Sequence, residues 1–379
     1  MSYQIDWDTK TITLPGFVDA HLHYPQTAMI GSWGADLLDW LERYTFPEES
    51  KFAQPDYAQR IAKLFVDQLV KHGVTTAAVF STVHPQAFAA LLEAAQGRLH
   101  LVSGLTAMDR NAPDALHIST AEWERENQIA YDALRAHRRM TYAVTPRFAI
   151  TSTPEQLAAC GAFHQNHPDT LMQTHINENL REIEFVSELF PRSESYLQVY
   201  ADHGLLTDRS LFGHAIYGSD EEVSQLVAAG ASVVHCPTSN TFLGSGLFPH
   251  QRYQGLGGNI ALGSDVGGGT SFSPWATMAE AYKLARLRGY SLTATQLVNW
   301  HTMGGAKALH LDDRIGSLEP GKYQDYNVYN LEPRDALVAE RLSRVESADD
   351  ALFALMFMMC ECPDQVHVER HFDTSSDLG

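Results

Sequence analysis

One pattern limits the fold of this chain more than any other. Short β-rich runs alternate with helical stretches along most of its length. The runs are 16–23, 74–80, 99–108, 140–147, 170–176, 211–216, 231–236 and 259–265. Helical patterns cover 56–72, 85–96, 120–137, 154–167, 178–189, 220–229 and 274–287. Repeated βα units predict a parallel sheet. Eight of them predict closure into an α/β fold of the (β/α)8 barrel type, and 379 residues suit such a barrel with insertions. A doubly wound open sheet is the alternative, but no Gly-rich dinucleotide fingerprint follows an early run. Gly267-Gly268-Gly269 has the wrong spacing for one and follows the last run.

The rest of the chain lies around this frame. Residues 31–55 form a long insertion with Trp33, Trp40, Tyr44 and Phe46. At the top of a barrel it reads equally as a lid and as a helical decoration. After Arg314 the tail reads as strands outside the barrel, although its apolar run 351–360 serves a helix equally. The expected division is a catalytic barrel over 15–314. A small β-subdomain is expected from 1–14 with 315–379.

Charge and composition narrow the function. Lys and Arg number 27 against 46 Asp and Glu, a net charge of −19. Phosphate attraction needs clustered basic residues, so nucleic acid and anionic membranes are disfavoured as partners. A single base remains possible as a substrate. No apolar run is long enough to span a bilayer, and MSYQIDWDTK lacks a basic-then-apolar signal pattern. Cys160, Cys236, Cys360 and Cys362 are too few and too scattered for a disulfide framework. Cys360 and Cys362 have no second pair or nearby His to make a zinc knuckle. A reducing cytoplasm is the expected compartment.

Histidines and acids stand at the ends of the β-runs. His21 and His23 end the first run, and period two predicts that both face the same side. His175 ends the fifth run, His214 the sixth and Asp265 the eighth. A barrel delivers all strand ends to one rim. Imidazoles with a carboxylate suit Zn2+ with a position left for water, and Fe2+ also tolerates the set. The fourth run, TYAVTPRF, has no lysine to be carbamylated between two metals, which favours one ion. Glu178 stands where a helix begins. It reads as a carboxylate stabilised by the helix dipole or as a proton shuttle beside a metal. Arg147 either pairs with a carboxylate or grips a planar edge carrying adjacent acceptors, with Phe148 as a stacking face. Gln26 supplies a donor and an acceptor. The stretch 237–240 reads as a polar turn, and His235 as structural.

The motifs PGFVDAHLHYPQ, LLDWLERYTFPEE, TPRFAITSTPEQL, THINEN, HCPTSNTFLGSGLF and LGSDVGGGTSFS resemble the guanine deaminases of the amidohydrolase superfamily. They run in family order from about Leu14 to Phe272. The resemblance implies a zinc-dependent (β/α)8 enzyme that converts guanine to xanthine and ammonia, usually as a homodimer. It implies metal ligands His21, His23, His175 and Asp265, and a proton shuttle at Glu178. It puts His214 beside the attacking water, and Gln26, Arg147 and Phe148 against the substrate. A related ring-amine hydrolase acting on 8-oxoguanine, a pterin or a triazine is the alternative. Family members carry a longer segment before the PGF motif, so a reduced β-sandwich is expected from 1–14 and the polar tail.

Overall fold

A computed structural model describes residues 3–34, 37–331, 336–359 and 362–369. Cys360 and residues 370–379 of the expected β-subdomain lie outside them. Thirteen strands are formed among the described residues: β1 (Gln4–Asp6), β2 (Thr11–Pro15), β3 (Phe17–His23), β4 (Val74–Phe80), β5 (His100–Gly104), β6 (Thr106–Ala107), β7 (Met140–Pro146), β8 (Leu171–Ile176), β9 (Ser210–His214), β10 (Ser232–His235), β11 (Asn259–Leu262), β12 (Tyr326–Asn330) and β13 (Gln365–His367). The expected run 99–108 splits into β5 and β6, and the run 211–216 stops at His214.

Strands pair in parallel in the order β11-β10-β9-β8-β7-β5-β4-β3, with β6 beside β7. The two ends of this sheet meet through backbone bonds. Asp265 N donates to His21 O at 2.8 Å, and His23 N donates to Val266 O at 3.0 Å. The result is the expected (β/α)8 barrel. Every residue of β3, β4, β5 and β8 is buried, as parallel strands covered on both faces require. Helices follow the strands at the expected places, among them Pro55–Lys71, Pro85–Ala95, Thr120–Arg135, Pro154–Asn166, Asp220–Ala228 and Pro274–Leu287. Small and branched side chains fill the barrel interior, including Val18, Ala20, Ala78, Val102, Ala143, Leu171, Leu211, Val234 and Ala261.

The register of β3 against β4 shifts twice, between Phe17 and Val18 and again between Asp19 and Leu22, where β3 carries an extra residue. Val18 pairs with Thr76 and His23 with Phe80, so five steps on β3 oppose four on β4. This bulge lets Val18 pack low in the interior while His23 still stands on the inner face.

The termini form a four-stranded antiparallel sheet, β1-β2-β12-β13. It is one layer rather than a two-layer sandwich. Ile12 and Leu14 bury its inner face. Asn327 Nδ2 donates to Gly73 O at 2.9 Å, and Arg139 forms an ion pair with Asp325, which tie the sheet to the barrel. The apolar run, described as far as residue 359, is helical rather than extended. A helix spans Ala348–Ala354, and Phe353 packs on Tyr282 of the helix Pro274–Leu287. Its N-terminus is capped by Ser347, whose side chain accepts from Asp350 N. Among the described residues no helix is long and apolar enough to cross a membrane.

Candidate active site

The C-terminal strand ends converge on one pocket. His23, Gln26, Arg147, Phe148, His175, Glu178, His214 and Asp265 line it, together with Leu37, Trp40, Leu41 and Leu243. The one remaining predicted residue, His21, lies directly beneath, its ring 5.2 Å from that of His23.

His21, His23, His175 and Asp265 each bring one ligand atom into a group spanning no more than 4.8 Å. His23 Nε2 is 3.1 Å from His175 Nε2 and 3.1 Å from Asp265 Oδ1, and His21 Nε2 is 3.4 Å from the same oxygen. His175 Nδ1 donates to Arg147 O at 2.6 Å, so its Nε2 lone pair is the one turned to the centre. His21 Nε2 is buried and has no hydrogen-bond partner. Burial pushes the imidazoles of His21, His23 and His175 down, His23 to about 4, so all three stay neutral. Burial pushes the Asp265 carboxyl up, but the His21 and His23 imidazoles beside it hold it well below the usual range. Three neutral imidazoles and one carboxylate around an orphaned nitrogen fit a divalent transition metal.

The backbone is shaped to make this convergence. Gly213 lies under the His21 ring, and a Cβ there would come within 2.6 Å of His21 Cε1. Alternation from Leu211 would place His214 outside the barrel. The left-handed φ of 66° at His214 breaks the alternation and brings its ring into the pocket. Asp265 also has a positive φ, 49°. Strained non-glycine backbone of this kind persists where the surroundings fix it, often at functional sites.

Glu178 and His214 sit beside the donor group. His214 Nε2 is 3.4 Å from Glu178 Oε2 and 3.6 Å from Asp265 Oδ2. Its Nδ1 lies 2.9 Å from Asn240 Oδ1 and so donates to it. Ser245 Oγ donates to Glu178 Oε1 at 2.9 Å. Burial, with the Asp265 charge adding to it, raises the Glu178 carboxyl to about 8. The helix-dipole reading of Glu178 does not hold. The helix that follows starts at Leu180 with Asn179 as cap and Glu182 completing the capping box.

The insertion is helical from Leu37 to Ala53, in α, π and 3-10 turns. It covers one side of the pocket with Leu37, Trp40 and Leu41. It also carries Glu49, a buried carboxylate that the sequence reading passed over. Arg147 Nη1 donates to Glu49 Oε1 and Oε2 at 2.8 and 2.7 Å, and Gln26 Nε2 donates to Oε1 at 3.0 Å. Asn240 and Ser245 were passed over as individual residues too. Their quoted motifs were the available signal; the segment after the seventh barrel strand is a helix, Pro237–Phe242, rather than the expected polar turn, and it reaches the same rim. His235 stacks on Phe248 with centroids 4.5 Å apart, consistent with a structural role.

Comparison with known proteins agrees with this geometry. The chain matches the amidohydrolase family over residues 12–366. It is 41% identical over 354 residues to a guanine deaminase of Escherichia coli, covering 93% of this chain and 80% of the relative. It is 35% identical over 333 residues to the guanine deaminase of Rattus norvegicus, covering 85% and 72%. The E. coli guanine deaminase structure superposes with a TM-score of 0.92 at 38% identity, covering 95% of this chain and 83% of the other. A guanine deaminase from C. acetobutylicum, solved with guanine in its active site, superposes at 0.87 with 27% identity, covering 94% and 85%. This chain belongs to the amidohydrolase family and, within it, groups with the guanine deaminases.

Proposed function

We propose that this chain hydrolyses guanine to xanthine and ammonia, in purine catabolism and salvage. One observation carries the reading: a metal-type donor group, the buried Glu178 carboxyl and an arginine–glutamine edge meet in one pocket. His21, His23, His175 and Asp265 would hold the ion, which we take to be zinc, with Fe2+ as the second choice. When bound, such an ion supplies a water made acidic enough to attack at neutral pH.

The chain's own residues do the remaining work. Asp265 and His214 accept the proton of the attacking water. Glu178, kept protonated by burial, gives its proton to the ring nitrogen beside C2 as the water oxygen bonds to C2. The proton taken from the water then passes to the amino nitrogen, the C2–N bond breaks to release ammonia, and the C2 hydroxyl gives its proton back to Glu178 as it becomes the carbonyl. Arg147 turns N–H donors to the 6-oxo edge, Gln26 completes that edge, and Phe148 supplies a face. A 6-amino group would meet donor with donor, which rejects adenine.

We take 15–314 as the catalytic unit, with 1–14 and 315–379 as an accessory sheet and tail; pocket-lining residues that all fall between His23 and Asp265 support this division. The buried thiols of Cys160 and Cys236 suit a reducing cytoplasm. The homodimer follows from the family resemblance, and sedimentation of the purified protein tests it. An ammonia-release assay across guanine, 8-oxoguanine, adenine, cytosine and isoxanthopterin, with metal analysis, tests the activity. Guanine should be the preferred substrate, with one zinc per chain. Faster release from 8-oxoguanine or the pterin would replace guanine in this reading.

A further inference from the structure

Glu49 is 1% exposed, and all its bonds go to two side chains that line the pocket. It stands one helical turn after Phe46, whose ring lies 6.0 Å from the Arg147 guanidinium carbon. Arg147 is thus gripped from two sides by one turn of the insertion. The guanidinium keeps further N–H donors beyond the Nη1 taken by Glu49.

The bond to Gln26 fixes a second polarity. An ionised carboxylate only accepts, so the amide atom facing Glu49 is Nε2 and the amide is not free to flip. Its Oε1 is left buried without a partner. Gly267, with φ of 136°, makes room for this arrangement, since a Cβ there would come within 2.5 Å of Oε1. The pocket therefore offers one acceptor from Gln26 beside donors from Arg147. A buried amide oxygen without a partner favours a ligand N–H at that position.

We propose that Glu49 is a positioning residue that sets the hydrogen-bond polarity of the base-recognition edge, with Gln26 as acceptor and Arg147 as donor. Its placement on the insertion means that the edge is assembled only when residues 37–53 are docked on the barrel. The ligand class this selects is a planar ring with an N–H next to a carbonyl acceptor. A ring with an amino group at the carbonyl position meets donors with a donor. The inference rests on the reading of the pocket as a guanine site.

The test is steady-state kinetics of the metal-loaded enzyme on guanine and 2,6-diaminopurine, for the wild type, Glu49→Gln and Glu49→Asp. Glutamine at 49 offers an NH2 as well as an oxygen, so Gln26 is free to turn its amide over. For Glu49→Gln we expect the KM for guanine to rise roughly 10- to 100-fold. The kcat should change less than about threefold, with metal content unchanged. The guanine-to-diaminopurine ratio of kcat/KM should fall by about tenfold or more, and Glu49→Asp should lie between. In a Gln26→Met background the effect of Glu49→Gln should shrink, because part of it passes through Gln26. A purely structural role would lower both substrates' rates alike, with a lower melting temperature. That outcome, or an unchanged ratio, overturns the inference. If Glu49→Gln does not fold, a wild-type ratio in Glu49→Asp overturns it equally. A wild type inactive on guanine would defeat the reading of function instead, before any variant is compared.

Discussion

The two sides of the pocket are built by different means. On one side, His21, His23, His175, His214 and Asp265 stand at strand ends, and two of them, His175 and His214, are fixed by a second bond to backbone or a side-chain amide. On the other, Gln26 and Arg147 are held together through Glu49, a residue of the helical insertion. The first side belongs to the barrel and shares its rigidity. The second exists only as far as the insertion stays docked. The contrast suggests a division between chemistry and selection, with strand ends acting on the scissile bond and the insertion choosing the ring.

The first side should show the largest effects. Removing metal with a chelator should abolish ammonia release and lower the melting temperature, because the ion binds only the folded chain. Activity that survives complete metal removal, shown by elemental analysis, would break the comparison at its strongest point. Glu178→Gln should retain metal and lose roughly 10^2- to 10^4-fold in kcat. A near-wild-type rate would remove Glu178 from the chemistry.

Arg147→Ala probes the second side. It should raise the KM for guanine by roughly 10- to 100-fold while metal content stays constant. Unchanged guanine kinetics would leave the selecting role without its donor. Asn240→Ala sharpens the boundary between the sides, since it removes only the partner that orients His214. A fall in kcat of about tenfold or more at steady KM is expected, and a change confined to KM would move His214 to the selecting side. The smallest effect belongs far from the pocket. Asn327→Ala, which loses the bond to Gly73 O, should cost about 1 kcal/mol or somewhat more in thermal or denaturant unfolding, with kinetics untouched.

The same contrast governs what could be read from residues alone. The barrel was legible because βα repetition is a periodic signal, and the donors were legible because strand ends meet at one rim. His21 and His23 were placed correctly, although the bulge in β3 was not visible in the spacing. For His214 the simple alternation gives the wrong face, and only the strained φ corrects it. Glu49 was hidden for a different reason. It is one of two adjacent glutamates in a segment whose reading lay between lid and decoration. Nothing local distinguishes Glu49, which takes Arg147, from Glu48, which is also buried but pairs with half-exposed Lys51. Its role depends on Arg147, 98 positions away, and such pairing appears only in three dimensions. The apolar run before Cys360 was ambiguous because length and composition fit both states, and packing on Tyr282 decided for helix.

The barrel's closing seam has a consequence of its own. His21, His23 and Asp265 supply three of the four backbone partners that join the first strand to the end of the last one. The residues that gather the ion are thus also the latch of the cylinder. Prying the latch apart would scatter the ligands at once, so heat should extinguish ion retention and barrel integrity in a single cooperative step.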